Sequence, residues 1–127
     1  MTPLSCSLAG QAGRVAVLPG SRAAAIYAAD RVVEDFFCNY GLNPAYRSAI
    51  EQAGLQVTGL NEDGGAVIVE LDDHPFFVAT LFCFQTRSQT GRPHPLTAAF
   101  VDAARRRRLG QRAEQEVDGG RVVGRQP

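Results

Sequence analysis

The feature that most constrains the fold of this chain is a nearly continuous apolar run from Phe76 to Phe84. The run is too short for a membrane helix, which needs roughly 18–20 apolar residues. Phenylalanine, valine and threonine favour strands, and a strand that is apolar on both sides needs cover on both of its faces. The run therefore predicts a central strand, covered on both faces by other parts of the chain.

Four more strands are predicted upstream of this run. Leu55 to Leu60 and Ala66 to Leu71 have strand-like composition, and the residues between them, Asn61 to Gly65, have the composition of a turn. Together they predict a hairpin. Arg14 to Leu18 and Arg31 to Phe37 are short apolar or β-branched runs of the same kind.

Three helices are predicted from their end signals. Ser21 can cap a brief alanine-rich helix, and Asn43 can cap a second one with Pro44 at its first position and Gly54 at its end. A third helix begins near Pro95. The side chains of this last helix that fall at helical spacing and would cover the sheet are Leu96, Ala99, Phe100, Ala103 and Ala104. Together these elements predict an α/β class domain that contains more β-hairpins than a fold built from βαβ units alone.

Length and composition are those of one small globular domain. The chain has 127 residues, of which 45% are hydrophobic and 20% charged. Its first residues lack the basic region of a secretory signal, so a cytoplasmic location is predicted. Cys6, Cys38 and Cys83 are odd in number and far apart, which is a poor disulfide framework, and without a CxxC pair no local zinc signature exists.

Charge is distributed unevenly along the chain. Residues 1–104 hold six Arg against ten acids, a balance of −4, and residues 105–127 hold seven Arg against three acids, a balance of +4. We predict a domain over residues 1–109 and a disordered tail over residues 110–127, which is rich in Gly, Gln, Glu and Arg. The basic run is short and has no aromatic residues for stacking on bases, so a solvated end is favoured over nucleic-acid binding.

Several short motifs follow one another in a fixed order over about residues 13–104. They are Asn43-Pro44-Ala45-Tyr46-Arg47, Ala53-Gly54-Leu55 with Thr58-Gly59, Asp73-His74-Pro75-Phe76-Phe77-Val78 and Arg92-Pro93-His94-Pro95-Leu96. In this order they resemble the C-terminal part of the glutaminase domain of the CTP synthase family, a class I glutamine amidotransferase. The resemblance implies part of a flavodoxin-like layered sheet with hairpin additions, and a place in pyrimidine nucleotide metabolism of a bacterial cell.

The family resemblance also implies a Cys, His and Glu triad that releases ammonia from glutamine. At the places of the family's His-Pro-Glu, this chain has Cys83, Phe84 and Gln85. The family's nucleophile elbow, Gly-x-Cys-x-Gly, does not occur in the 127 residues. Cys83 cannot replace a histidine base, and Gln85 cannot stabilise an imidazolium by charge. By resemblance, Cys83 and Gln85 are degenerate triad positions.

The glutamine-binding segment of the family departs as well. Asn39 stands where the family has the Arg that grips the glutamine carboxylate, and Tyr40 is retained. The loss of that charged fork should cost glutamine binding about 2–3 kcal/mol. The pattern resembles a side branch, the CTP synthase C-terminal-region-related (seleno)proteins, and this resemblance makes Cys83 a candidate position for a sulfur or selenium nucleophile.

Each of these residues also has a structural interpretation. Cys83 and Cys38 are interpreted first as inert buried thiols, although both could face one cleft. His74 and His94 lie beside prolines and are expected at the surface or in caps, and Asp72-Asp73 is expected in a solvated turn. No metal site and no cofactor is predicted.

The leading hypothesis is a degenerate CTP-synthase-like amidotransferase segment without ordinary glutaminase activity, which acts as a binding or scaffold module. It would be completed by a second chain or an upstream half, or would associate with itself. The alternatives are a thiol-based enzyme that uses Cys83, and the C-terminal half of an amidotransferase that another chain makes active. No membrane partner is predicted.

Overall fold

A computed structural model describes residues 1–4 and 7–121, with side chains up to residue 114. Cys6 and residues 122–127, the end of the predicted tail, lie outside the described residues. The strands are β1 (Thr2–Pro3), β2 (Gln11–Val17), β3 (Arg31–Phe36), β4 (Tyr40–Gly41), β5 (Leu55–Asn61), β6 (Ala66–Leu71) and β7 (Val78–Thr80). The helices are α1 (Arg22–Tyr27), α2 (Arg47–Gln52) and α3 (Pro95–Arg121), with 3-10 turns at Pro44–Tyr46 and Phe84–Arg87.

The described strands form a five-stranded sheet in the order β3-β2-β5-β6-β7 and a two-stranded sheet of β1 and β4. Each pairing among them is antiparallel. The sheet curls, because the segment after β7 donates from the Leu81 N–H to the Val67 carbonyl and then from the Cys83 N–H to the Asp35 carbonyl. This segment therefore links β6 to β3. The mixed α/β class predicted from the sequence is confirmed.

The predicted helix ends and the predicted hairpin can be compared with the structure residue by residue. Ser21 Oγ accepts from the Ala24 N–H and caps α1 as predicted. The Asn43 side chain accepts from the Ala45 N–H and caps the 3-10 turn at Pro44–Tyr46, which leads into α2. Gly54 follows α2 with φ of +99°, a left-handed conformation that favours glycine. The predicted hairpin is β5 and β6, which pair from Leu55 opposite Leu71 to Leu60 opposite Ala66.

The prediction of a long central strand over residues 76–84 is wrong. Only Val78–Thr80 forms a strand, and it lies at the edge of the sheet. The phenylalanines serve as separate anchors instead. Phe76 meets the ring of Phe100 at 5.7 Å, and Phe82 is buried against Phe36 with ring centroids 5.8 Å apart. The apolar run is therefore divided between an edge strand, a core contact and a 3-10 turn.

Helix α3 also differs from its prediction. Of the face expected to cover the sheet, Leu96 is buried, whereas Phe100 is 57% exposed and Ala104 is exposed. The helix packs against α1 rather than across the strands. It continues to Arg121 through the predicted start of the tail at Gly110, where alanine, arginine, glutamine and glutamate favour helix.

The core lies where α1, the inner face of the sheet and the start of α3 meet. Its buried apolar members are Val15, Val17, Ala23, Phe36, Val67, Ile68, Phe82 and Leu96. Gly59 in β5 faces Ile68 so closely that an added Cβ would lie 2.6 Å from Ile68 Cδ1. The Thr58-Gly59 motif thus allows β5 and β6 to approach each other, and the register shifts at this point.

Candidate functional site

Cys83, one of the two predicted triad positions, is fixed by its backbone. Its N–H donates to the Asp35 carbonyl at 2.9 Å, and its carbonyl accepts from the Thr86 N–H at 3.1 Å and from Thr86 Oγ1 at 2.8 Å. These bonds place Cys83 immediately before the 3-10 turn at Phe84–Arg87, with a half-buried side chain. The Cys83 backbone is therefore held by hydrogen bonds on both sides, and its thiol is not part of a disulfide.

Gln85, the second predicted triad position, lies inside the same 3-10 turn and is exposed. Its carbonyl accepts from the Ser88 N–H at 3.2 Å, which closes the turn. Neither Gln85 nor Cys83 lines the cleft or the cavities described below. Their assignment as degenerate triad positions stays a prediction.

Asn39 and Tyr40, the predicted glutamine-site positions, are held by the N-terminal segment. The Asn39 carbonyl accepts from the Leu4 N–H at 2.9 Å, and its side chain accepts from Ser7 Oγ. Tyr40 is paired with Pro3 between β1 and β4 and is 55% exposed. Tyr40 shares a small cavity of about 40 Å³ with Cys38, whose Sγ donates to the Leu81 carbonyl at 2.8 Å. Their role in binding also stays a prediction.

A buried polar network is centred on Glu34 in β3. Glu34 is 2% exposed, and its Oε1 lies 2.8 Å from His94 Nε2. Oε1 also accepts from the Tyr27 hydroxyl at 2.7 Å. A buried carboxylate is stable only when donors surround it, and here two donors converge on one oxygen.

The orientation of His94 follows from its position before α3. Its Nδ1 accepts from the Leu96 N–H at 3.2 Å and its carbonyl accepts from the Ala98 N–H, so His94 caps the helix. Because Nδ1 is an acceptor, Nε2 carries the proton and donates to Glu34. The predicted capping role of His94 is correct, but the residue is 6% exposed and does not lie at the surface.

Tyr27 completes the network from the end of α1. Burial, and then the hydrogen bond to Glu34 and the charge of Glu34, raise the pKa of the Tyr27 hydroxyl far above its usual range. The hydroxyl therefore remains protonated at neutral pH and donates to Glu34. Its ring also meets the His94 ring edge-on at 5.6 Å.

The network forms the floor of a cleft of about 520 Å³. Its charged lining residues include Glu34, Asp35, Arg87 and Arg92. Arg87 lies 3.7 Å from the Asp35 carboxylate and donates to the Val33 carbonyl at 3.0 Å. The cleft thus has a buried acidic floor and a basic rim, which makes it the main candidate site of the described fold.

Glu70 is a second buried acid, and its role is structural. It is 1% exposed, accepts from the N–H groups of Arg22 and Ala23 at 2.9 and 2.8 Å, and accepts from Thr58 Oγ1 at 2.9 Å. These bonds anchor the first turn of α1 to the sheet, where the helix dipole also favours a negative charge. All of its donors come from the chain itself.

Sequence reasoning missed both Glu34 and Glu70. The signal was present: alternation in β3 places Glu34 on the same face as Val32 and Phe36, and alternation in β6 places Glu70 with Ile68. An acid on the inward face of a strand predicts a buried carboxylate. Within residues 1–4 and 7–121, no group of three His, Cys, Asp or Glu side chains could hold a metal ion, and no helix there has the apolar length to cross a bilayer.

Comparison with known proteins gives several CTP synthases as relatives of this chain. The chain is 43% identical over 100 residues to a CTP synthase of Chloroflexus aurantiacus, and these residues are 78% of the chain and 18% of that protein. It is 46% identical over 89 residues to a CTP synthase of Roseiflexus castenholzii, which cover 69% of the chain and 16% of that protein. The chain thus spans less than a fifth of the curated relatives it matches. No protein-family model matches it.

A solved structure has the same fold. The glutaminase domain of Trypanosoma brucei CTP synthase with bound acivicin superposes with a TM-score of 0.74 at 27% sequence identity. The superposition covers 80% of this chain and 40% of that one. The fold of this chain therefore has a counterpart in a solved CTP synthase glutaminase domain.

Proposed function

The chain belongs with the glutamine amidotransferase-like domains of CTP synthase, and from this kinship we propose that it is a degenerate segment of such a domain, without ordinary glutaminase activity, that acts as a binding or scaffold module. One observation carries the first part of the proposal. Cys83 precedes the 3-10 turn at Phe84–Arg87 and Gln85 lies within it, and neither side chain lines the cleft, although Thr86 and Arg87 of the same turn do. Gln85 is exposed. A thiol and an amide in these places offer neither an imidazole base nor a charged group to orient one.

The scaffold part of the proposal is supported by an apolar groove over β6 and β7. The groove has a volume of about 260 Å³, and its lining residues include Ile50, Leu55, Val69, Ala79 and Leu81. Val69 and Leu81 are half-buried, whereas Ala79 is exposed on an edge strand. Half-covered apolar side chains beside an edge strand favour association with another polypeptide. We propose a second copy of the chain as the partner available to the isolated protein.

Self-association is the test of the scaffold proposal. The chain should form dimers or larger species at micromolar concentration in light scattering, because the groove removes apolar surface from water on contact. Ala79→Glu should shift it toward the monomer, since this exposed position admits the charge without disturbing the core. Ala98→Glu, the same change at an exposed position of α3, should leave association unaltered. A monodisperse monomer for the unaltered chain would refute the scaffold proposal.

The thiol-based alternative has less support. The described structure gives Cys83 no charged partner in its hydrogen bonds, and the cleft with titratable side chains lies beside Glu34 instead. We also propose a cytoplasmic location and completion of the domain by an upstream half.

A further inference from the structure

We propose that the cleft beside Glu34 is a binding site for a small zwitterion that carries a protonated amino group and a carboxylate. Cys83 and Gln85 do not line this cleft, although Thr86 and Arg87 of the turn that follows Cys83 do, and the proposal does not depend on the loss of glutaminase activity. Glu34 would accept from the ammonium group, and Arg92 would bind the carboxylate. Four features of the described residues support this assignment.

The first feature is an unsatisfied oxygen on the floor of the cleft. Glu34 Oε2 is buried and has no hydrogen-bond donor within the described part of the chain, although Glu34 lines the cleft. A buried carboxylate oxygen without a donor is strongly unfavourable. The strongest available donor is a cationic N–H group. Because Glu34 is one of the residues that line the cleft, we place the donor of this hydrogen bond in the cleft.

The second feature is that the other oxygen is fully engaged. Tyr27 and His94 both donate to Oε1, at 2.7 and 2.8 Å, and His94 is itself held by the Leu96 N–H. The carboxylate therefore cannot turn to give Oε2 one of these donors without breaking a bond to Oε1. The network fixes the acceptor in place before any ligand arrives, which lowers the entropic cost of binding.

The third feature is a positive charge at the rim. Arg92 is exposed, lines the cleft and is held by reciprocal backbone hydrogen bonds with Gln89 around the turn at Gly91. Among the described residues it makes no ion pair, whereas Arg87 lies beside Asp35. Because the charges of Arg87 and Asp35 offset each other, the unpaired charges of the described lining are the Glu34 carboxylate at the floor and the Arg92 guanidinium at the rim. A ligand that carries both charges complements this pair.

The fourth feature is size. A volume of about 520 Å³ falls in the usual range for small-molecule sites, roughly 300–1,000 Å³. The cleft is thus large enough for a molecule whose ammonium reaches the floor and whose carboxylate reaches the rim.

The test is a titration of the full chain with glycine, β-alanine and 4-aminobutyrate, followed by isothermal calorimetry and by NMR shifts of residues around the cleft. This series lengthens the separation between ammonium and carboxylate one methylene at a time. We expect saturable binding of at least one member. Its N-trimethylated form should bind at least about tenfold more weakly, because it keeps the charge but has no N–H for Oε2.

Two variants assign the binding to its residues. Glu34→Gln and Arg92→Gln should each weaken binding at least about tenfold. Arg92 is exposed, so Arg92→Gln is expected to keep the fold, as unchanged thermal unfolding would verify, even where Glu34→Gln does not. Arg14→Gln, an exposed position outside this cleft, should leave binding unchanged. Absence of binding for all three probes, or binding that a folded Arg92→Gln variant retains in full, would overturn the proposal.

Discussion

Glu70→Ala is expected to lower the free energy of unfolding by about 3–5 kcal/mol, since it leaves the N–H groups of Arg22 and Ala23 and the hydroxyl of Thr58 without an acceptor. Small domains are stable by about 5–15 kcal/mol, so the change removes a large part of the total. Chemical denaturation followed by circular dichroism measures the loss.

Two controls identify the cause of this loss. Thr58→Val removes one of the three donors with little change of shape, and should cost about 1–2 kcal/mol. Glu62→Ala makes the same change as Glu70→Ala at an exposed position, where the ion pair with Arg14 spans 3.6 Å between largely exposed side chains. That control should fall within about 0.5 kcal/mol of the unaltered protein. Equal effects at positions 62 and 70 would contradict the anchoring role of Glu70.

His94→Ala should be of similar size, about 3–5 kcal/mol, because it leaves the buried Glu34 carboxylate with Tyr27 as its remaining donor. It also removes the cap of α3, which is worth about 1 kcal/mol. Thermal and chemical unfolding of the variant, compared with the unaltered chain, give the measurement. His74→Ala is the matched control, since His74 is exposed and accepts one hydrogen bond from the Phe76 N–H.

A double-mutant cycle separates the pair from the cap. If the hydrogen bond between His94 and Glu34 carries most of the effect, His94→Ala should cost clearly less when Glu34 is already Gln. Full additivity of the two changes would show that the buried pair contributes nothing as a pair, and that the cap alone accounts for the loss.

Local signals in the sequence were enough to predict most of the secondary structure. Ser21 and Asn43 cap their helices because a side-chain oxygen can reach a free N–H group within three residues, which requires no tertiary contact. The β5–β6 hairpin follows in the same way from the turn residues between its strands. Such local preferences can be recognised in the sequence because they do not depend on the tertiary structure.

The run over residues 76–84 could not be assigned correctly for the opposite reason. Its composition favours a strand, but hydrogen bonds to β6 at Leu81 and to β3 at Cys83 draw successive residues to different partners. Which partner an apolar residue meets is a tertiary property, and local propensity is overridden there. Sequence periodicity likewise predicted a buried face for α3, but of its five residues only Leu96 is buried, and Ala99 and Ala103 are half-buried.

The candidate site was hidden from motif reasoning because its residues are distant in sequence and common in kind. Glu34 and His94 are 60 positions apart and meet because the chain that follows β7 crosses to β3. The family resemblance predicted a site at Cys83 and Gln85, which lie just before and within the 3-10 turn at Phe84–Arg87. Strand alternation at Glu34 was a physical signal for burial, whereas its partners could not be identified without the topology.

We propose that the chain keeps the fold of a CTP synthase glutaminase domain without its activity, and ammonia release from glutamine by the purified chain tests this proposal. We expect ammonia release no faster than in buffer, with Cys83→Ala and Cys38→Ala indistinguishable from the unaltered protein. Steady ammonia release that disappears in Cys83→Ala and persists in Cys38→Ala would contradict it.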